Sequence, residues 1–302
     1  MPKVKVDGNQ DLASSPSQQQ RRPNILVSLS HRFRLGDIAL IFWGTLRRKR
    51  LSLFWFALSA AAFHWLVAVS FPAIGGTEAV TSVVRTFPDG LRTLLKLAPN
   101  LQAGFGVQDY LAFTWIHPLF IGLGSAFVVS RATGGLTAEI ERGSIYLVLS
   151  RPMSRSSFVL GKAAEMVFGA GVMTLAAWVG LAVGVQWLPY ELPLGNYLLA
   201  ASMAWLLFAA LGGGAFLLAS CFSRTALSDA LGAAWTILAF VLDVIPLIAA
   251  SPLAWINPWH HYFPQEIVAT GTIAPTSIVI LLIWWIGGVA SAVVVFGRRN
   301  LA

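Results

Sequence analysis

Six long apolar runs, separated by more polar segments, dominate the pattern of this sequence. Each run is close to the roughly 20 residues that an α-helix needs to cross the hydrocarbon core of a bilayer. The runs lie at about 51–71, 112–130, 158–188, 197–222, 227–250 and 276–296. This pattern predicts an all-α integral membrane protein in which residues 51–302 form one transmembrane domain of six helices. Glycines at small-xxx-small spacing, such as Gly180 and Gly184, favour close helix contact in lipid.

The first 50 residues have a different pattern. Residues 1–24 are polar, rich in Ser and Gln and without periodicity, which predicts a disordered cytoplasmic tail. In residues 25–50, apolar positions such as Phe33, Ile38 and Phe42 recur at roughly helical spacing, with basic residues between them. This pattern is typical of an amphipathic elbow helix that lies in the membrane interface with its basic residues toward anionic lipid. An ordinary solvated helix is the alternative interpretation.

The composition excludes a soluble domain. Of the 302 residues, 56% are hydrophobic and 11% are charged, whereas about 25% of a typical soluble domain is charged. A net charge of +8 is a common feature of nucleic-acid-binding proteins. Here, however, the basic residues flank apolar runs instead of forming one patch, so no nucleic-acid partner is expected. The single cysteine, Cys221, excludes an internal disulfide and a four-cysteine metal site.

The distribution of basic residues predicts the orientation, since cytoplasmic loops of membrane proteins retain Lys and Arg. With the six spans placed as above, all but three of the 21 Lys and Arg residues lie on one side of the membrane. The three exceptions are Arg85, Arg92 and Lys96. We therefore predict a multi-pass protein of the cell (cytoplasmic) membrane with both termini in the cytoplasm.

The sequence lacks the common motifs of hydrolytic chemistry. It contains no G-x-x-x-x-G-K-[ST] phosphate loop, no H-E-x-x-H and no G-x-S-x-G. His260, His261 and Glu266 are residue types that bind metals, but adjacent histidines point in different directions and no second cluster completes a four-ligand site. We therefore expect no catalytic residue and no metal site in this chain.

Two ionisable residues stand out within the predicted spans, where burial of a charge is costly. Asp243 lies in the outer half of the fifth run, and His64 lies about two-thirds along the first. Both are candidates for a translocation path. In the structural alternative, Asp243 pairs with a Trp, a Ser or a backbone group, and His64 is neutral and hydrogen-bonded.

The segment Thr137–Lys162 places charged residues between the second and third runs. Its pattern predicts one short helix that continues through Leu149 and ends at Pro152, because a proline cannot continue a helix. A new helix is expected to begin at Ser154, a residue type that favours helix N-termini.

Apolar residues cover both faces of the second half of this short helix. The positions on one face are Leu136, Ile140, Gly143 and Leu147, and those on the other are Ile145, Val148 and Leu149. A helix that is apolar all round has to be buried, and the short inner loops provide no soluble domain to cover it. We therefore predict that it docks into a groove on another protein; the alternative is that it lies on the inner lipid surface. The charged residues at the rim of the contact would be Glu141, Arg142, Arg151 and Arg155.

The same segment resembles the ABC-2-type permeases, the membrane subunits of ATP-binding cassette exporters. Their segment between the second and third spans typically reads E-x-E-x-G-T-L-E-x-L-L-S-x-P-[VI]-S-R, followed by G-K. The matching residues here are Glu139, Glu141, Gly143, Leu149, Ser150, Pro152, Ser154, Arg155, Gly161 and Lys162. Ser144 stands for the usual Thr, Ile145 for Leu, and Tyr146 for a common acid. The resemblance implies that an ATPase contacts the segment formed by Glu139, Glu141, Arg142, Gly143, Tyr146, Leu149, Ser150, Arg151, Pro152, Ser154 and Arg155.

The resemblance also implies how the work is divided between chains. Two permease subunits, identical or different, would form the pathway, while separate ATPase subunits would hold ATP and Mg²⁺ and contact the coupling helix. No cofactor is expected in this chain. Two other classes remain open: a secondary transporter that uses Asp243 as a proton or ion site, and an integral membrane enzyme. The first would often show internal repeats, which are not found here, and the second lacks a plausible catalytic pair.

Overall fold

The computed structural model describes residues 35–88, 106–149 and 153–299, without the side chains of residues 148 and 149. The predicted tail, residues 25–34 of the predicted elbow helix, and Ser150, Arg151 and Pro152 lie outside the described residues.

Every regular element within the described ranges is helical. The α-helices are α1 Leu35–Ser70, α2 Gly76–Thr86, α3 Val107–Phe113, α4 Pro118–Gly135, α5 Thr137–Glu141, α6 Ser144–Leu149, α7 Arg155–Gly184, α8 Leu194–Cys221, α9 Thr225–Val244, α10 Pro246–Ala249, α11 Pro264–Thr270 and α12 Pro275–Arg298. Three short 3₁₀ helices occupy Val185–Trp187, Pro252–Ile256 and Pro258–His261.

Six helical segments are long and apolar enough to cross a membrane. They are Leu35–Ser70, Val107–Glu141, Arg155–Trp187, Leu194–Cys221, Thr225–Val244 and Pro275–Arg298. The predicted number of spans is therefore confirmed for the described part of the chain. The fifth helix was predicted to reach residue 250 but ends at Val244, because Pro246 has no N–H to continue the hydrogen-bond pattern and begins the short helix α10.

Helix α1 is longer than a bilayer requires. Its 36 residues correspond to about 54 Å, against a hydrocarbon core of about 30 Å. Residues 35–50 of the predicted elbow helix continue into the predicted first span without a break. The interfacial position of this segment stays a prediction.

Helix α8 lies at the centre of the bundle. Buried residues follow one another on all of its faces, among them Phe208, Leu211 and Phe216, and it packs against α4, α7, α9, α11 and α12. Helix α1 packs on the outside of this core, mainly along α7. A helix that is apolar all round is expected to occupy such a position.

Glycines allow the helices to approach closely at two crossings. A Cβ added to Gly180 of α7 would overlap the carbonyl oxygen of Ala61 in α1. In the contact between α8 and α12, a Cβ added to Gly213 would lie 2.7 Å from the carbonyl oxygen of Trp284, and one added to Gly288 would overlap the backbone of Gly213. These contacts confirm that small residues permit close helix packing here.

The two ends of the bundle differ in chemistry. At one end, here called the charged end, lie Lys49, Glu139, Lys162 and Arg299; within the described ranges this end holds every Lys and Arg except Arg85. The opposite end, here called the aromatic end, contains the fully buried rings of Trp115, Tyr197, Trp259 and Tyr262. The Tyr262 hydroxyl donates to the carbonyl oxygen of Trp115 at 2.8 Å and so ties the loop before α11 to the end of α3.

Candidate functional site at the charged end

The segment between the second and third spans forms two short helices, and the prediction of one helix through Leu149 was wrong. Helix α5 ends at Glu141, and α6 begins at Ser144. Between them Gly143 has φ +69°, a left-handed conformation that residues with a Cβ rarely adopt. Leu136 and Leu147, which were predicted to share one helix face, therefore differ in burial: Leu136 is fully buried, whereas Leu147 is 76% exposed.

Glu139 anchors this segment to the third span. Its carboxylate lies 3.3 Å from Nζ of Lys162 in α7 and 3.8 Å from a guanidinium nitrogen of Arg48 in α1. It also accepts a short hydrogen bond from the hydroxyl of Ser144, across the turn. Lys162 is buried, and its ammonium group lies over the ring of Phe158 at 5.3 Å. Glu139 therefore joins α5 and α6 to both α1 and α7.

Glu141 makes a second anchor, to the fifth span. Its carboxylate accepts the backbone N–H of Thr225, the first residue of α9, at 2.9 Å. The N–H groups of the first helical turn have no partner within the helix, so a carboxylate there is a favourable acceptor. Glu141 was predicted to lie at the rim of a contact with another protein, and the resemblance implied an ATPase contact for both acids; in the structure each acid binds this chain.

Apart from Glu141, three of the described side chains in this segment are exposed. Arg142 and Tyr146 are exposed, Tyr146 to 51%, and Leu147 is the most exposed of the three at 76%. Ile145, between them in sequence, is fully buried against the protein's own core. We call Arg142, Tyr146 and Leu147 the docking face.

Gly161 and Lys162, near the start of α7, make different contacts. A Cβ at Gly161 would lie 2.6 Å from Cβ of Ile41 and 2.9 Å from the carbonyl oxygen of Ile38, so this glycine allows α7 to contact α1. Lys162, the next residue, turns toward Glu139 instead. The pair therefore sets the distance between two helices and provides a cation for the segment beside them.

Ser154 and Arg155 hold the beginning of α7. The Ser154 hydroxyl oxygen accepts the N–H of Ser157 at 2.9 Å, as expected of an N-cap. Arg155 donates to the carbonyl oxygen of Arg299 at 2.6 Å. Arg299 in turn donates to the carbonyl oxygen of Phe222 at 2.7 Å. The third, fourth and sixth spans are thus linked at the charged end.

A buried ion pair near this site was missed by the sequence reasoning. Arg131 of α4 and Glu165 of α7 lie 3.3 Å apart, and each side chain is only 2% exposed. Arg131 also lies over the ring of Phe127 at 4.8 Å and donates to the carbonyl oxygen of Lys49 at 3.5 Å. A signal was present: Glu165 lies inside the third apolar run, and Arg131 directly follows the second. Charges at such positions are expected to pair.

The two candidates for a translocation path lie away from this site. Asp243 is buried at the aromatic end of α9, and its carboxylate lies 3.1 Å from Nδ1 of His260. His64 is fully buried, with Nδ1 3.0 Å from the carbonyl oxygen of Ala60. This is the hydrogen bond that the structural alternative for His64 expected. For Asp243, one partner is a histidine, which the sequence reasoning did not consider.

Two of the three residues weighed as metal ligands, His260 and His261, have other contacts. His260 pairs with Asp243, and Nε2 of His261 lies 2.8 Å from the carbonyl oxygen of Trp255. Within the described ranges, no group of three or more His, Cys, Asp or Glu residues is arranged to hold a metal ion.

Comparison with known protein families finds a match. A family model described as ABC-2 family transporter protein matches residues 38–301. The match covers all six apolar segments except the first three residues of α1. No curated protein matches the sequence.

Proposed function

The chain belongs to the ABC-2 family of transporter proteins, and from this we propose that it is the permease subunit of an ABC exporter, driven by separate ATPase subunits. In this proposal ATP and Mg²⁺ are held by the ATPase, which contacts the docking face, and a second permease subunit completes the pathway. The charged end faces the cytoplasm, in keeping with the excess of Lys and Arg there. The chain itself catalyses no reaction.

One observation carries this proposal: the docking face is exposed, whereas the acids beside it are bound to two different spans. Arg142, Tyr146 and Leu147 are exposed. In the same segment, Glu139 contacts the third span and Glu141 contacts the fifth. A displacement of the docking face would therefore be passed to two membrane helices through short polar contacts.

The docking face also provides apolar contact area. Full burial of a side chain the size of leucine contributes about 1.5–3 kcal/mol. Leu147 is 76% exposed and Tyr146 is 51% exposed, so covering both would supply about 2–4 kcal/mol by the same relation. A few such residues at the centre of an interface carry much of its binding free energy.

The decisive experiment replaces Leu147 by Asp in the full chain. We expect Leu147→Asp to reduce the amount of ATPase that co-purifies from native membranes at least about tenfold, as the loss of one buried anchor implies, and to abolish vanadate-sensitive ATP hydrolysis in the preparation. Leu147→Met should retain both. The matched control is Leu247→Asp, since Leu247 is 83% exposed in α10 at the opposite end.

Two outcomes would contradict the proposal. One is that Leu147→Asp retains normal ATPase recovery and ATP-dependent transport. The other is that no ATPase subunit accompanies the parent chain. A secondary transporter that works through Asp243 is not favoured, because the family match and the pairing of Asp243 with His260 provide no reason to assign it an ion site.

A further inference from the structure

A cavity of about 320 Å³ opens at the aromatic end, between α8, α11 and the beginning of α12. Its buried lining includes Met203, Ile267 and Ser277, together with His261, whose Nε2 lies 2.8 Å from the carbonyl oxygen of Trp255. Its mouth is formed by Glu266 and Thr272, which are exposed, and by Phe263, which is 38% exposed. Pockets for small molecules usually measure about 300–1,000 Å³ and combine apolar walls with few polar groups. This cavity has the size and composition of a small-ligand site.

The charge at the mouth selects the class of ligand. Within the part of the chain that the structure describes, the Glu266 carboxylate makes no hydrogen bond or ion pair. The described cation at this end is Arg85, whereas the acids there are Glu78, Asp109, Glu191, Asp243 and Glu266. A carboxylate beside apolar walls attracts a cation more strongly than it would in water, because the local dielectric constant is lower.

An aromatic ring adds to this preference. Phe263 lines the same mouth, and the face of an aromatic ring attracts a positive charge by about 0.5–2 kcal/mol, depending on desolvation. The buried lining offers a thioether in Met203 and the aliphatic side chain of Ile267, which suit the apolar part of a ligand. We infer that this cavity binds a small organic cation with an apolar body, whose charge lies between Glu266 and Phe263.

Equilibrium dialysis of the purified full chain in detergent tests this inference. The probe is benzyltrimethylammonium, and its uncharged carbon isostere neopentylbenzene measures binding by shape alone; empty micelles correct for partitioning. We expect one saturable site for the cation and at least about tenfold weaker binding of the isostere, since the Coulomb attraction is lost.

Two variants locate the site. Glu266→Gln keeps the size of the side chain and removes its charge, and we expect it to weaken binding of the cation about tenfold. Glu191→Gln is the matched control, since Glu191 is an exposed acid at the same end that does not line the cavity. Ser277→Leu, which adds bulk to the buried lining, should abolish the site while the protein stays monodisperse in gel filtration.

The inference is overturned by any of three results. These are equal binding of the cation and its isostere, unchanged affinity in Glu266→Gln, or no saturable binding of either probe to the parent chain. The measurement needs no ATPase subunit, so a negative result would leave the proposed role of the docking face untouched.

Discussion

The buried ion pair between Arg131 and Glu165 provides the sharpest test of how the charged end is built. Both side chains are 2% exposed, and they join α4 to α7. Removing one partner of a buried pair costs about 3–5 kcal/mol, because the other charge is left without compensation. Replacing both partners by apolar residues of similar size is often close to neutral. The perturbations are therefore Arg131→Met, Glu165→Met and the double variant.

The charged residues near the pair predict that the two single variants lose different amounts of stability. Lys49 and Lys162 also lie within electrostatic range of Glu165 and attract its carboxylate. Glu165 therefore keeps favourable neighbours when Arg131 is removed. Arg131, by contrast, would remain buried near the like charge of Lys49 when Glu165 is removed. We expect a loss of about 3–5 kcal/mol for Glu165→Met and about 1–3 kcal/mol for Arg131→Met.

The assay is reversible unfolding of the purified protein by SDS in mixed micelles, followed by helical circular dichroism. We expect the free energy of unfolding of the double variant to lie within about 2 kcal/mol of that of the parent. The coupling free energy between the two residues is then at least about 2 kcal/mol. Arg48→Met is the control: the pair between Arg48 and Glu139 is 3.8 Å long with Arg48 65% exposed, so its loss should cost less than about 1 kcal/mol. Additive losses in the double variant, or a larger loss for Arg131→Met than for Glu165→Met, would refute this reasoning.

Two further predictions concern packing and the aromatic end. Gly288→Ala should destabilise the protein by about 2 kcal/mol, as overpacking does, because the new Cβ overlaps Gly213; Gly287→Ala, with open space beside it, should be neutral or slightly stabilising in the same unfolding assay. Tyr262→Phe should cost about 1–3 kcal/mol, because the buried carbonyl oxygen of Trp115 loses its donor. Burial raises the pKa of Tyr262 well above its usual value, so its stabilising effect is complete below about pH 10 and is lost only as the pH rises further. Tyrosinate absorbance that shows Tyr262 ionising at its ordinary pKa in the folded protein would contradict this.

The six spans could be predicted from the sequence because the requirement for them is local. About 20 successive apolar residues suffice to cross a bilayer, whatever lies beside them. Gly180 and Gly184 were predicted from their small-xxx-small spacing to lie at helix contacts, and both do. A Cβ added to Gly180 would overlap Ala61, and one added to Gly184 would lie 2.7 Å from the Cβ of Ala68. The family resemblance also depended on neighbouring residues, in the segment from Glu139 to Lys162.

The contacts that define the candidate site could not be predicted from residues that are neighbours in the sequence. Glu141 and Thr225 are 84 positions apart, and Glu139 and Lys162 are 23 apart. The sequence identified the acids as important, but it did not indicate that each would bind a different span. The structure also has two short helices with a turn at Gly143 where the apolar periodicity predicted one continuous helix.

The number of spans, their apolar character and the concentration of basic residues near one end follow from the order of residue types along the chain. The burial of Arg131 against Glu165, the exposure of Leu147 beside the buried Ile145 and the cavity at Glu266 follow from how the helices pack. The physical reason is one of range. Hydrophobic length and helical periodicity act over a few turns, whereas ion pairs and cavities depend on crossing angles and side-chain shapes contributed by several helices at once.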